Sequence, residues 1–141
     1  MVLGLLSLPL AMVHGSVAHA DTDTAVAKLS DLTQPWSSVK FTLRDDDGSD
    51  MPCIVVRLPG GAWYASSLIC PHNKCTVMYV TDLDMARDSF NVETKTPVLA
   101  CPCHFSVFDV TQEGRVISGP APHPPLQFRV TVRDNDVFVS R

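Results

Sequence analysis

Two short motifs rich in cysteine and histidine constrain the fold of this chain more than any other feature. The first occupies residues 70–75 (CPHNKC) and the second residues 101–106 (CPCHFS). Each motif offers a thiolate and an imidazole as metal ligands, and each carries one further cysteine. The fold must therefore bring together two segments that lie far apart in the sequence.

The residue types alone leave three kinds of site open. Two disulfides could join the motifs, with His72 and His104 as bystanders. A tetrahedral Zn²⁺ would accept two cysteines and two histidines. A [2Fe-2S] cluster of the Rieske type would take two cysteines on one iron and two histidines on the other. Short loops at the tip of a β fold would place the two sulfurs together and the two imidazoles together.

Short β-rich runs separated by turn residues follow residue 38. Phe128, Val130 and Val132 alternate with polar residues, which is the period-2 pattern of a strand with one buried face. Asp, Asn, Gly and Pro separate the runs, and no helical stripe of ordinary length is visible. The pattern predicts an all-β sandwich or barrel. The predicted strands are 39–43, 53–58, 63–69, 76–80, 98–100, 115–117, 126–132 and 136–139.

The first twenty residues contain no Lys, Arg, Asp or Glu and end in Ala18-His19-Ala20, the small-x-small pattern of a cleavage site. We predict that residues 1–20 are an export signal, with an N-terminal membrane anchor as the alternative. Export leads to the periplasm, an oxidising compartment in which disulfides form. Residues 21–38 are predicted to be a polar lead-in with one helical turn, and residues 39–141 to be the β domain.

The 141 residues suffice for one domain with a hydrophobic core, and the formal net charge is -4. Basic residues are scattered singly, so nucleic acid is not an expected partner. Of the five cysteines, Cys53 lies outside both motifs and is predicted to be a buried core residue.

The two motifs resemble the signature of the Rieske iron–sulfur proteins. The resemblance implies a Rieske-type antiparallel β-sandwich or barrel with a small cluster-binding subdomain, about residues 69–122, formed by two loops. It also implies one [2Fe-2S] cluster as cofactor. The implied ligands are Cys70 and Cys101 for the buried iron, and His72 and His104 for the exposed iron.

Neighbouring residues extend the resemblance. Cys75 and Cys103 match the disulfide that joins the two loops in high-potential members. Ser106 matches a serine that donates a hydrogen bond to a cluster sulfur, and Gly119-Pro120-Ala121-Pro122 resembles the proline loop that covers the cluster. Phe108 stands where bc-type members usually have tyrosine. One potential-raising donor is thus absent, and a potential below that of the bc-type proteins is expected.

Within this family the run 103–109 and the segment 52–58 resemble the small subunit of arsenite oxidase more than a bc-complex subunit. The first motif has Asn73-Lys74 where bc-type loops carry an apolar residue and a glycine. The connection between the motifs is long, and residues 81–88 are expected to form a polar surface excursion or a partner-docking loop.

The implied function is one-electron transfer as a subunit that is not catalytic alone. The expected partners are a larger catalytic subunit of the molybdopterin type and a cytochrome c or copper protein as acceptor. The alternative is the iron–sulfur subunit of a quinol-oxidising cytochrome bc complex, with cytochrome b as partner. A soluble Rieske ferredoxin that serves an oxygenase is a third class, and the additional cysteine pair argues against it.

Overall fold

A computed structural model describes residues 22–141, which form ten β-strands, one α-helix and three 3₁₀ turns. The prediction of an antiparallel, mostly β fold is confirmed. The strands are β1 (Thr24–Lys28), β2 (Ser38–Arg44), β3 (Asp50–Arg57), β4 (Trp63–Ser67), β5 (Met78–Val80), β6 (Val98–Ala100), β7 (Val107–Asp109), β8 (Arg115–Ser118), β9 (Arg129–Arg133) and β10 (Asp136–Ser140), and the helix is α1 (Leu83–Phe90).

The strands form three antiparallel sheets in the orders β1-β10-β9, β2-β3-β4 and β5-β6-β7-β8. An isolated bridge between Ser66 and Gln127 links the first two sheets, since Ser66 lies on β4 and Gln127 precedes β9. Both Cys/His motifs lie at the same end of the strands in the four-stranded sheet. The first motif ends just before β5, and the second joins β6 to β7.

The central sheet β2-β3-β4 serves two hydrophobic cores. On β3, Cys53 and Val55 face one core, which they share with β9 and β10. Ile54 and Val56, on the opposite face, belong to a second core that contains Cys70 and other residues of the cluster region. Successive side chains of a strand point to opposite faces, so a strand buried on both sides is apolar at every position.

The segment 21–38, expected to be a lead-in with a helical turn, contains strand β1 before a 3₁₀ turn at Leu29–Asp31. Strand β1 pairs with β10 along the edge of its sheet. Two of the three apolar residues in its sequence, TAVAK, are alanines, which are depleted in strands, so the pattern does not predict one. Strand β7 was also missed, because it has only three residues and follows the second motif directly.

Residues 81–88, expected to form a polar surface excursion or a partner-docking loop, are exposed apart from Ala86, but most of them belong to helix α1, which the sequence did not predict. The Asp82 carboxylate accepts hydrogen bonds from the amides of Asp84 and Met85 and so caps the start of α1. The helix ends at Asn91, which has a left-handed conformation (φ 54°). In eight residues only Ala86 and Phe90 are buried, so the sequence shows no extended apolar stripe.

Between residues 22 and 141, no helix is long and apolar enough to span a membrane. The predicted export signal or anchor, residues 1–20, lies outside the described residues.

Candidate metal centre

The first motif folds into a tight loop, called here the first loop (residues 70–75). Its ends are held by a hydrogen bond from the Cys70 amide to the Cys75 carbonyl oxygen (2.8 Å), and the Lys74 amide donates to the Cys70 carbonyl (2.9 Å). The second motif forms the second loop (residues 101–106) and repeats both bonds, from the Cys101 amide to the Ser106 carbonyl (2.8 Å) and from the Phe105 amide to the Cys101 carbonyl (3.0 Å).

The backbone of both loops turns at the same position. The fifth residue of each has a positive φ, 55° at Lys74 and 60° at Phe105. For a residue with a side chain, this left-handed conformation is less favourable than the right-handed one by about 1 to 2 kcal/mol. The two loops are therefore copies of one backbone frame, and each stores some strain at the same point.

The ligand candidates separate by burial. Cys70 and Cys101 are each 1% exposed and belong to the same hydrophobic core, whereas His72 and His104 are exposed. The two imidazole rings meet edge to face, with centroids 4.7 Å apart. The structure thus brings the four predicted ligands into an inner sulfur pair and an outer imidazole pair.

The inner thiols fit a cationic centre. Burial raises the pKa of the Cys70 thiol, and the neighbouring Cys101 thiol raises it further. Thiolates must form for these side chains to bind a metal, and the positive charge of iron would offset the desolvation that opposes them.

Cys75 and Cys103 form a disulfide that joins the two loops, the pair implied by the resemblance. The S–S distance is 2.07 Å and the Cα atoms are 6.5 Å apart. The sulfur atoms of Cys75, Cys101 and Cys103 lie within 4.8 Å of one another. Because two of these three are bonded together, only Cys101 in this group is available to bind a metal.

The segment 119–122 packs against the second loop. The Ala121 amide donates a hydrogen bond to Ser106 Oγ (3.0 Å), and both residues are buried. With its oxygen acting as acceptor, the Ser106 hydroxyl keeps its proton free for a sulfur at the site. Gly119 has φ +84°, and a Cβ there would lie 2.6 Å from the Phe105 carbonyl oxygen, so the close approach needs glycine. Pro120 follows at the surface.

Two other predicted positions are fully buried. Phe108, on β7, lies in the core that contains Cys70 and Cys101 and brings no hydroxyl there. Cys53 lies in the other core, where burial raises the pKa of its thiol to about 11. The prediction that Cys53 is a core residue is confirmed.

The profile of the Rieske [2Fe-2S] domain family matches residues 23–134. The chain belongs to this family. A Rieske domain binds one [2Fe-2S] cluster, and the chain is accordingly a Rieske electron-transfer protein with one such cluster as cofactor.

Two relatives show extended sequence similarity to this Rieske chain. It is 36% identical over 118 residues to the cytochrome b6-f complex iron-sulfur subunit of Chlorobaculum tepidum, an alignment that covers 84% of this chain and 53% of the relative. It is 33% identical over 142 residues to the cytochrome bc1 complex Rieske iron-sulfur subunit of Corynebacterium diphtheriae, covering 94% of this chain and 31% of the relative. The chain thus spans about half or less of these relatives. Neither of these two relatives is named as an arsenite oxidase subunit.

Solved structures agree on the fold. The ferredoxin of carbazole 1,9a-dioxygenase from Nocardioides aromaticivorans is 28% identical with a TM-score of 0.56, and the match covers 84% of this chain and 97% of the ferredoxin. The soluble domain of the Rieske protein II (soxF) from Sulfolobus acidocaldarius has a TM-score of 0.65 at 19% identity, covering 87% and 79%. The latter likeness concerns the fold alone.

Two contributors to the site were not predicted from the sequence. The Ala121 amide that fixes Ser106 is a backbone group, which no residue type announces. Phe90 contacts the second loop from helix α1, and that helix was not predicted. Its apolar side chain in a polar segment was the one available hint.

Proposed function

We propose that Cys70 and Cys101 hold the inner iron of the cluster and that His72 and His104 hold the outer iron. The observation that carries this assignment is the separation of a buried thiol pair from an exposed, adjacent imidazole pair. A Rieske cluster needs this division, with sulfur ligands on one iron and nitrogen ligands on the other.

Pulsed electron paramagnetic resonance of the reduced protein tests the assignment. We expect two coupled imidazole nitrogens in the wild type and loss of one in His72→Cys or His104→Cys. His123→Gln is the matched control, because His123 is an exposed histidine that is hydrogen-bonded to the Pro124 carbonyl oxygen. Two nitrogen couplings that survive in both ligand variants would refute the assignment.

The histidines, the buried cysteines and Ser106 have different parts in electron transfer. The bound cluster takes up and releases one electron. Exposed His72 and His104 give a partner the shortest approach to it, and the buried cysteines keep the inner side out of water. The Ser106 hydroxyl, whose oxygen accepts from the Ala121 amide, would donate its proton to a cluster sulfur, stabilise the negative charge gained on reduction and so raise the potential.

We further propose that the protein is the iron–sulfur subunit of a quinol-oxidising cytochrome bc-type complex, with cytochrome b and a cytochrome c as partners. Support comes from the named relatives, whose similarity extends over most of the chain. The loop-joining disulfide also suits this class better than an oxygenase ferredoxin. In such a complex the protein would act outside the cytoplasm, consistent with the export signal or anchor predicted at residues 1–20.

A second candidate is the small subunit of an oxidoreductase of the arsenite oxidase type, with a molybdopterin subunit as donor and a cytochrome c or copper protein as acceptor. The favouring observation is the polar tip: exposed Asn73 and Lys74 stand beside the exposed His72. A quinol-binding contact would favour apolar side chains there. Buried Phe108, without a hydroxyl, also departs from the bc pattern.

Isolation of the native complex through a C-terminal tag separates the two candidates. The bc proposal predicts haem b in the complex and quinol-dependent reduction of the cluster. The alternative predicts molybdenum and arsenite-dependent reduction. Molybdenum without haem b would refute the bc proposal and leave the cluster assignment intact.

A further inference from the structure

Helix α1 lies in the connection between the two loops, and its last residue reaches the second loop. The rings of Phe90 and Phe105 meet at 65° with centroids 6.2 Å apart, which is an edge-to-face aromatic pair. Phe90 is 6% exposed, whereas Phe105 is 54% exposed. Phe105 therefore rests with one side on a fixed ring and faces solvent with the other.

Phe105 occupies a conformation that its side chain disfavours. Its φ of 60° is left-handed, which is unusual for a bulky residue. The conformation allows its amide to donate to the Cys101 carbonyl oxygen and so to close the turn that contains His104. An external contact that favours this position of the ring would stabilise the turn.

The other member of the pair is held firmly. Phe90 and Ala86 are buried in a small core formed with Val80, Val98 and Val107. These three valines lie on β5, β6 and β7, the strands of the sheet from which the second loop projects. The capped ends of α1 add to its definition. The packing against the sheet thus fixes the position of Phe90, and Phe90 contacts the outer side of the second loop at Phe105.

The first loop differs at the equivalent point. Lys74 has nearly the same φ, 55°, but the next residue is Cys75, whose disulfide fixes the chain directly after the strained position. In the second loop the disulfide is attached at Cys103, before His104 and Phe105. The strained end of the second loop therefore lies beyond its covalent anchor.

We infer that Phe90 is a positioning residue for the second loop: its ring holds Phe105 in the left-handed conformation and so fixes the orientation of His104. The inference rests on the proposed role of His104 as a ligand. It assigns a function to helix α1 within the site, whereas the sequence suggested a surface excursion or a docking loop.

Two substitutions at the exposed side of the pair test this inference without disturbing the core. Phe105→Ala keeps the disfavoured φ but loses the ring contact, whereas Phe105→Gly also removes the conformational strain. Hydrogen exchange of the cluster-loaded full chain, followed by mass spectrometry, compares peptides containing residues 101–106 with peptides containing residues 70–75. We expect about fivefold faster exchange of the second loop in Phe105→Ala. In Phe105→Gly the rate should stay within a factor of about two of wild type.

A complementary set changes the helix. Phe90→Leu removes the ring and retains much of the core volume, and Val92→Ala is the matched control because it weakens the same small core and leaves the Phe90–Phe105 ring pair intact. We expect Phe90→Leu, and not Val92→Ala, to accelerate exchange of the second loop selectively. The reduced cluster of Phe90→Leu should also give broadened resonance lines, because His104 samples more than one orientation. Adding Phe105→Gly to Phe90→Leu should restore the wild-type line width.

Equal exchange of both loops in Phe105→Ala would overturn the inference, as would failure of Phe105→Gly to rescue Phe90→Leu. Should Phe90→Leu not fold, the comparison of Phe105→Ala with Phe105→Gly decides alone. These outcomes differ from failure of the ligand assignment, in which case the wild-type protein would lack the two nitrogen couplings.

Discussion

The first and second loops share a backbone frame and differ in what supports each from outside. Both are closed by the same two hydrogen bonds and turn through a positive φ at the fifth residue. The first loop ends in a disulfide-bonded cysteine, Cys75. The second ends in Ser106, which is fixed by segment 119–122, and carries Phe105 against helix α1. The disulfide thus fixes the end of the first loop, whereas the end of the second loop is held by packing and hydrogen bonds.

This difference separates the tasks of the two loops. The second loop ends in the buried hydroxyl of Ser106, which is proposed to donate to the cluster, whereas the first loop ends in Cys75, which has no hydroxyl. Tuning of the potential should therefore depend mainly on the second loop. Retention of the cluster should depend on both loops equally, because each is proposed to supply one thiolate and one imidazole.

Substitution of either proposed inner ligand, Cys70 or Cys101, should have the largest effect. The loss of bound iron should be the same for the two loops. Cys70→Ser and Cys101→Ser should each reduce bound iron at least tenfold, because neither loop can replace the thiolate of the other. Iron and sulfide analysis of purified protein measures this. Cys53→Ala should keep full iron content, since Cys53 lies in the other core. Normal iron in either ligand variant would break the equivalence.

Removing the covalent link between the loops comes next. The double variant Cys75→Ser with Cys103→Ser should bind the cluster but lose about 3 kcal/mol of stability, because the bridge restricts the unfolded chain. Urea unfolding measures the loss. Wild type treated with a reductant that opens the disulfide should unfold at the same urea concentration as the variant. Full stability of the variant would mean that packing alone joins the loops.

The support of the second loop by segment 119–122 can be broken at Gly119. Gly119→Ala should destabilise the protein by about 2 kcal/mol or more, because it adds a steric clash with the Phe105–Ser106 backbone to the strain of a positive φ. Gly48→Ala is matched in φ (+81°) but has nothing within 4 Å of the new Cβ, so it should lose only about 1 kcal/mol. Equal losses in thermal unfolding would show that the close approach contributes nothing.

The tuning role of the second loop predicts a smaller, specific effect. Ser106→Ala should retain the cluster and lower its midpoint potential by roughly 65 to 130 mV, the equivalent of one hydrogen bond to a charged acceptor. Redox titration followed by visible spectroscopy measures the shift. Ser140→Ala, a buried serine on β10, should leave the potential unchanged. No shift in Ser106→Ala would mean that the hydroxyl points elsewhere.

The strained positions should give the smallest effects and the sharpest contrast. Lys74→Gly should stabilise the protein by about 0.5 kcal/mol, because relief of the left-handed strain exceeds the added entropy of the unfolded chain. Phe105→Gly should show no net gain, because it also removes the contact with Phe90. Urea unfolding of both variants provides the comparison. Equal gains at the two positions would indicate that the Phe90 contact is energetically silent.

Local sequence determined the chemistry of this protein. The candidate ligands and the extra cysteines all lie in two six-residue motifs. The short spacing within each motif favours a loop, whatever the rest of the chain does. The strand series was also readable, because alternating residues and turn formers act over a few positions. The two-residue turn at Asp134-Asn135, with both φ angles positive, joins β9 to β10 as its residues predicted.

Tertiary structure decided what the motifs contact. Strand β1 is stabilised by its backbone pairing with β10. Helix α1 is stabilised by burial of Ala86 and Phe90 against β5, β6 and β7. Neither segment has enough local apolar pattern to specify its structure. The partners of Ser106 and Phe105 likewise come from residues 15 positions away in either direction, Ala121 and Phe90. Such contacts depend on the path of the backbone in space, so the sequence indicated the candidate ligands, whereas the fold determined how each loop is supported.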